Sequence, residues 1–275
     1  MLKDALKGKL SAKELNLLRR SFDVVGDIAI FEVPDELKKK EKLIGNTILE
    51  LLSNVKVVAV EQGEHKGAFR RQKLKVVAGE KRLVTTHKES GVVLALDVEK
   101  CYYSPRLGSE RLRVASLITP GEKVLVAGSG VGVYPIVLAK HSVAAKIVGV
   151  EINPVAHKFA LQNIKLNKVS DKVQAIKGDV FKLKLGKFDR IILAMPTFGV
   201  KFVPQLLKFA KNGAFLHVLD FAEESDREAP ARLLREICEK KKRPCTILGV
   251  IKTGTPGVRR LRVCVDVKLY PNMFK

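Results

Sequence analysis

The stretch Val124-Leu125-Val126-Ala127-Gly128-Ser129-Gly130-Val131-Gly132-Val133-Tyr134-Pro135-Ile136 decides the fold. Its apolar start, with Lys123 before it, reads as a buried strand. Three glycines at alternate positions follow, Gly128, Gly130 and Gly132, and then a helix-like segment from Tyr134 to Lys140. A second apolar run, Ile147-Val148-Gly149-Val150, leads into Glu151. The acid falls about 20 residues beyond the glycines, the spacing of a nucleoside-binding βαβ unit. Glycines let the backbone approach a ligand, and the carboxylate can hold both ribose hydroxyls. A tight turn without a ligand would need the glycines but not an acid at that spacing.

The glycine pattern narrows the nucleoside. A dinucleotide site favours G-x-G-x-x-G, because a pyrophosphate must sit on the helix N-terminus. Val133 stands where that third glycine belongs. G-x-G-x-G suits S-adenosylmethionine (AdoMet), which has no phosphate to cradle.

A chain of 275 residues can bury a full core and hold two domains. It has no apolar run of about 18 residues, so no transmembrane helix is expected. The start, Met1-Leu2-Lys3-Asp4-Ala5-Leu6-Lys7, lacks a signal-peptide core. Cys101, Cys238, Cys245 and Cys264 are scattered without a C-x-x-C pair, against zinc and against a disulfide framework. A cytoplasmic protein is expected. The net charge of +22 divides unevenly, with +6 on residues 1–95 and +16 on residues 96–275. A basic surface of that size fits a polyanion, whose phosphates would supply most of the affinity. A lysine surface serving solubility is the plainer account.

Two domains are expected, 1–95 and 96–275. In the first, residues 1–16 read as a basic amphipathic helix or a loosely attached arm. Residues 21–33 read as strand, Gly26-Asp27 turn and strand. Pro34 opens a helix to about Ser53, Asn54 to Val60 is a strand, and Phe69 to Leu96 are paired strands. This α+β module is expected to bury little by itself. From residue 97 strands and helices alternate, the signature of a doubly wound sheet. Strands are expected near 123–127, 147–151, 173–176, 189–194, 214–219, 246–251 and 261–268. Helices are expected near 109–117, 134–142, 154–167, 200–211 and 226–241. The last two strands are close enough to pair antiparallel, as is usual in class I AdoMet-dependent methyltransferases with their Rossmann-like α/β sheet.

Further residues carry chemistry. Asp179, after the third strand, sits where an acid could accept the adenine amino group, a role that its spacing from Glu151 favours over that of a turn or N-cap residue. Asn153 before Pro154 is a helix cap with a possible contact to the ligand. Leu193-Ala194-Met195-Pro196 ends the fourth strand, the end that in nucleic-acid and amine methyltransferases faces the transferable methyl group. Arg106, Glu110 and Arg111 can share one helix face. They read as a salt bridge between Arg106 and Glu110, or as a carboxylate poised to act as a general base.

Together these stretches resemble the archaeal tRNA (guanine-37-N1)-methyltransferases of the Trm-five type, in a short form lacking the N-terminal domain that grips the tRNA elbow. The resemblance runs from about Ser21 to the end. Its markers are Ser21-Phe22-Asp23-Val24-Val25-Gly26-Asp27, Gly67 to Arg70, His87-Lys88-Glu89, Tyr102-Tyr103-Ser104-Pro105-Arg106-Leu107 with Glu110-Arg111, and Glu151-Ile152-Asn153-Pro154. It implies AdoMet as cofactor and the tRNA anticodon stem-loop as partner, with the protein acting as a monomer. Gly128, Gly130, Gly132, Glu151, Asn153, Asp179, Pro196, Tyr102 and Arg106 would line the cofactor site. Glu110 would take the guanine N1 proton, while Arg70 and Arg106 stabilise charge on O6. The chain departs from the family at Val126, usually Asp, and at Ala194, usually Asn. A small residue at position 194 also suits the related aminocarboxypropyltransferase of wyosine biosynthesis. That enzyme lacks the Ser104-Pro105-Arg106-Leu107 turn followed by Glu110-Arg111. The two departures also suit a non-catalytic RNA-binding protein on a methyltransferase fold.

Overall fold

The computed structural model describes residues 2–18, 22–66, 71–257 and 259–271. The chain divides into two compact units, Met1–Pro105 and Arg106–Lys275. Among the described residues no helix is long and apolar enough to cross a membrane.

The first unit opens with short helices α1 (Leu2–Ala5) and α2 (Ala12–Leu17). Strands β1 (Asp23–Val25) and β2 (Ile28–Phe31) form the expected hairpin. A 3-10 turn over Asp35–Lys40 and helix α3 (Glu41–Leu51) lead to β3 (Val57–Lys66), parallel to β2. Strand β4 (Arg71–Gly79) completes a sheet ordered β1-β2-β3-β4, and β5 (Val84–Glu89) and β6 (Val92–Asp97) form a separate hairpin. Two expectations fail here. The N-terminal segment is not loosely attached, and the module does not bury little. Leu2, Leu6 and Leu10, spaced by four, join Leu18, Phe31, Ile44, Ile48 and Val58 in one buried cluster. Ser11 and Glu14 close a capping box that starts α2. Nor is the helix after Pro34 continuous: Lys40 leaves helical geometry between its 3-10 and α parts.

The marker Gly26-Asp27 has a structural basis. Gly26 has φ +59°, and a Cβ there would lie 2.2 Å from the Thr85 hydroxyl. The Arg82 guanidinium holds the Asp27 carboxyl down at about 2. His87, another marker, accepts the Gly26 N–H through Nδ1 at 2.9 Å. These residues tie the first hairpin to the second.

The second unit is a seven-stranded sheet flanked by helices. In chain order it contains α4 (Gly108–Ser116), β7 (Lys123–Ala127), α5 (Val133–His141), β8 (Lys146–Glu151), α6 (Pro154–Leu166), β9 (Val173–Lys177) and β10 (Phe188–Leu193). Then come α7 (Val203–Leu206), β11 (Ala210–Glu223), α8 (Ala229–Lys240), β12 (Cys245–Gly257) and β13 (Arg260–Leu269). The sheet order is β12-β13-β11-β10-β7-β8-β9. Only β13 runs against its neighbours, pairing antiparallel with both β11 and β12. This is the class I methyltransferase sheet with its reversed final hairpin. The helix expected over 200–211 is broken into 3-10 turns at Gly199–Phe202 and Leu207–Phe209 around the single turn of α7. Pro204 lies in the first turn of α7 and has no N–H to bond backwards, so the upstream turn cannot merge with it.

Candidate functional site

The glycine turn joins β7 to α5 at the carboxyl end of the sheet, where ligands of open α/β folds bind. Gly128, Gly130 and Gly132 have φ of +75°, +57° and +87°, a region that side chains rarely enter. A Cβ on Gly128 would lie 2.2 Å from Met195 Cγ, so the turn lies directly against the end of β10. Asn163 of α6 donates from Nδ2 to the Val131 carbonyl at 2.9 Å and pins the turn from below. Glu151 ends β8 with both oxygens engaged: Oε2 accepts the Gly130 N–H at 2.8 Å and Oε1 the Asn153 N–H at 2.7 Å. Burial pushes its carboxyl up, and those backbone donors only partly offset it. Two donors use about half of the lone-pair sites of a carboxylate, so Glu151 can still accept from two vicinal hydroxyls. Asn153 caps α6, its Oδ1 accepting from the Val155 and Ala156 N–H groups. Asp179 follows β9, half-buried, and its Oδ1 accepts the Phe181 N–H at 3.0 Å in a local turn.

Beside this turn, the Ala194 N–H donates to the Ala127 carbonyl at 3.0 Å, holding the ends of β10 and β7 together. Pro196 is buried there. Asp220 of β11 accepts the Val200 N–H at 2.8 Å and fixes the loop that follows Pro196. The glycine cradle and the two-donor grip on Glu151 fit the nucleoside half of AdoMet, in which no phosphate needs a helix terminus.

Helix α4 packs along α5, the helix that the glycine turn feeds. The Arg111 guanidinium lies over the Tyr134 ring at 5.7 Å. Glu110 is 4% exposed, and both of its oxygens accept from Arg113: Nε to Oε2 and Nη2 to Oε1, each 2.7 Å. Arg113 also donates to Asp266 of β13 at 2.6 and 3.1 Å. Asp266 stands opposite His217 in the ladder, and their side chains meet at 2.7 Å through Nδ1. Arg190 of β10 lies 2.6 Å from His217 Nε2 and grips Glu122 at 2.7 and 2.9 Å. Arginine can only donate, so Nε2 accepts and Nδ1–H donates: His217 is neutral. Burial pushes its imidazole below its usual value, and Asp266 only partly offsets this. The Cys264 thiol joins Asp266 at 3.4 Å. Although His217, Cys264 and Asp266 converge, both ring nitrogens are taken and two guanidiniums flank the group. The arrangement suits a chain of ion pairs and not a cation.

Of the residues expected in the site, the turn glycines, Glu151 and Asn153 share one hydrogen-bonded cluster. Arg106 is the exposed first residue of the second unit, and Tyr102 lies half-buried in the first. Arg70 lies outside the described residues. The sequence reading missed Arg113, Asp266, His217, Arg190 and Glu122. Their signal was available: charged or imidazole side chains interrupt otherwise apolar strands at 190, 217 and 266.

The network makes stability depend on acid. Burial opposes ionisation of Asp266, yet His217 and Arg113 outweigh it and hold the carboxyl well below the usual range. A depressed carboxyl stabilises above its unfolded value near 4 and loses that stabilisation as pH falls below it. Burial at Glu151 and Asp220 acts in the opposite sense, so the difference between wild type and Asp266→Asn is the informative quantity. Urea unfolding should show the variant about 2–3 kcal/mol less stable at neutral pH, the gap closing towards strong acid. A gap independent of pH would mean that the charge of Asp266 contributes nothing.

Known proteins of this architecture carry sequence likeness as well. The TRM5/TYW2 methyltransferase domain family matches residues 85–248, and the TYW2 N-terminal domain family matches residues 2–82. The tRNA (guanine(37)-N(1))-methyltransferase Trm5b of Pyrococcus abyssi is 37% identical over 92% of this chain and 76% of its own. Its crystal structure superimposes with a TM-score of 0.87 at 36% identity, covering 95% of this chain and 79% of that one. The complex of aTrm5 with tRNALeu gives a TM-score of 0.86 at 32% identity, covering 97% and 77%. The tRNA 4-demethylwyosine(37)-methyltransferase Taw21 of Saccharolobus solfataricus is 31% identical over 90% of this chain and 94% of its own.

Proposed function

The chain belongs to the TRM5/TYW2 methyltransferase family, and on that premise we propose that it transfers a methyl group from AdoMet to N1 of guanine 37 in tRNA. The observation that carries the reading is the pairing of a nucleoside cradle, built from the glycine turn and Glu151, with the carboxylate of Glu110 on the neighbouring helix. AdoMet supplies an electrophilic methyl group. Glu151 would hold the ribose hydroxyls, Asp179 the adenine amino group, and the chain around Pro196 the end nearest the methyl. Guanine N1 carries a proton and is a poor nucleophile until that proton leaves. Glu110 would accept it. Arg113 occupies one lone pair on each Glu110 oxygen, and the proton would go to a remaining one. Arg106 and Arg70 would stabilise the enolate-like O6. Ala194 brings no side-chain hydrogen bond to the base, so backbone carbonyls at the end of β10 would serve there.

Mass spectrometry of nucleosides from tRNA incubated with the protein and AdoMet tests this. N1-methylguanosine is the expected product. An aminocarboxypropyl adduct, or a product formed only on tRNA carrying 4-demethylwyosine, would place the chain with the other branches of the family. An inert protein would support the RNA-binding reading.

Two further outcomes follow from the same assignment. Glu151→Ala should weaken AdoMet binding, read by calorimetry, by about 1–3 kcal/mol, the scale of lost charge-assisted hydrogen bonds. Unchanged affinity would remove Glu151 from the site. Binding to tRNA should weaken steeply with salt, because the basic surface of a +22 chain displaces counterions from phosphates. A flat plot of log affinity against log salt would assign that charge another purpose.

A further inference from the structure

We infer that Arg113 is a positioning residue that aims Glu110, and that Asp266 locks Arg113 from behind. The inference rests on the reading of Glu110 as the base. Glu110 and Arg113 sit three residues apart on α4 and form a two-bond pair, which restrains rotation of the carboxylate. An exposed pair at this spacing contributes only a few tenths of a kcal/mol and fixes little, because a long arginine keeps its rotamer freedom. Arg113 has lost that freedom. Its opposite edge makes two more bonds to Asp266, which lies in the interior strand β13 and is 6% exposed. Asp266 is fixed in turn by His217, and His217 by Arg190, which is anchored on Glu122 just before β7. The orientation of the Glu110 carboxylate is thereby referred to the rigid sheet through five successive contacts.

The groups facing Glu110 sharpen the point. Burial, then the carboxylates of Glu110 and Asp266, push the Cys264 thiol up. Burial, then Cys264 and Glu110, push the Tyr134 hydroxyl up. Both stay neutral, so Arg113 is the cation whose two bonds set the plane of the carboxylate. A network of this kind, largely buried, adds little stability over an apolar replacement. A general base, in contrast, must be held within about 10–20° of its working direction.

Arg113→Lys tests the inference, because it keeps the charge and removes the fork. The single-turnover rate should fall by about 10–100-fold, the scale of a misaimed reacting group. Affinities for AdoMet and tRNA should change less than about twofold, since Arg113 touches neither in this assignment. The decisive comparison is made in the Glu110→Gln background. There Arg113→Lys should cost nothing more, because a residue acting through Glu110 has nothing left to aim. Additive losses, or a normal rate in Arg113→Lys, would overturn the inference while leaving Glu110 as base. A normal rate in Glu110→Gln itself would remove both. Should Arg113→Lys fail to fold, Asp266→Asn carries the same comparison, with the same non-additivity expected and the same additive result fatal.

Discussion

Glu110→Gln should lower single-turnover methyl transfer by roughly 10²–10⁴-fold, the usual range for a lost general base. Glutamine preserves the size and the helix propensity of the residue. It also preserves one oxygen for Arg113, so α4 and its packing on α5 should persist. What it cannot do is take a proton. Affinity for AdoMet and for tRNA should therefore stay near wild type. A purely structural ion pair predicts the reverse pattern: a lower melting temperature and a near-normal rate while the protein stays folded. Stopped reactions with excess enzyme, run beside a thermal melt, separate the two. A folded Glu110→Gln protein with a near-normal rate would leave Glu110 as a partner of Arg113 and nothing more.

Arg190→Met should be the most destabilising substitution considered, at about 3–5 kcal/mol. Methionine fills much of the space against Phe215, whose ring lies 4.6 Å from the guanidinium carbon. It leaves the Glu122 carboxylate with the Thr119 amide and hydroxyl alone, at 3.1 and 2.8 Å. It also strips the acceptor nitrogen of His217 and the Leu117 carbonyl of their donor. The cost comes from the orphaned carboxylate and not from the loss of an attractive pair as such. Adding Glu122→Gln should therefore recover a large part of it. The melting temperature should drop by on the order of 10 °C in the single variant. A loss under about 1 kcal/mol would mean that water or a rearranged side chain already serves Glu122.

What the sequence made legible follows from the range of the forces involved. The central strands were readable because both faces of a parallel sheet are buried, so Val124 to Ala127 and Ile147 to Val150 are unbroken apolar runs. The glycines were readable because Gly128 must clear Met195, and no other residue can. Glu151 was readable from its distance to the turn. The helix around Pro204 was misread because apolar spacing persists where the backbone bonding fails. The N-terminal leucines were misread because their partners, Ile44 and Ile48, lie on a helix some forty residues away. The same limit hid the network behind Glu110. The Arg113 spacing was visible, but Asp266 lies 153 residues further along the chain. The apolar runs around Arg190, His217 and Asp266 marked each as anomalous. Only the register of β10, β11 and β13 shows that one anomaly answers another.

Strand β13 fills an interior place in the sheet although it follows every other strand of that sheet in the chain. It is wedged between β12 and β11 and brings Asp266 to Arg113 and His217. A ribosome must therefore release the chain to about Leu269 before β11 gains its second neighbour. Until then β11 offers a bare edge, and the charges awaiting Asp266 stay wet. Earlier elements can collapse during synthesis, but the interlock cannot close, since these contacts have the longest sequence separation and form last. A nascent chain stalled inside β13 would carry the complete glycine turn and Glu151, and so could already hold a nucleoside. It would lack the brace behind Glu110. Under the proposed assignment, cofactor binding would arise earlier on the ribosome than turnover.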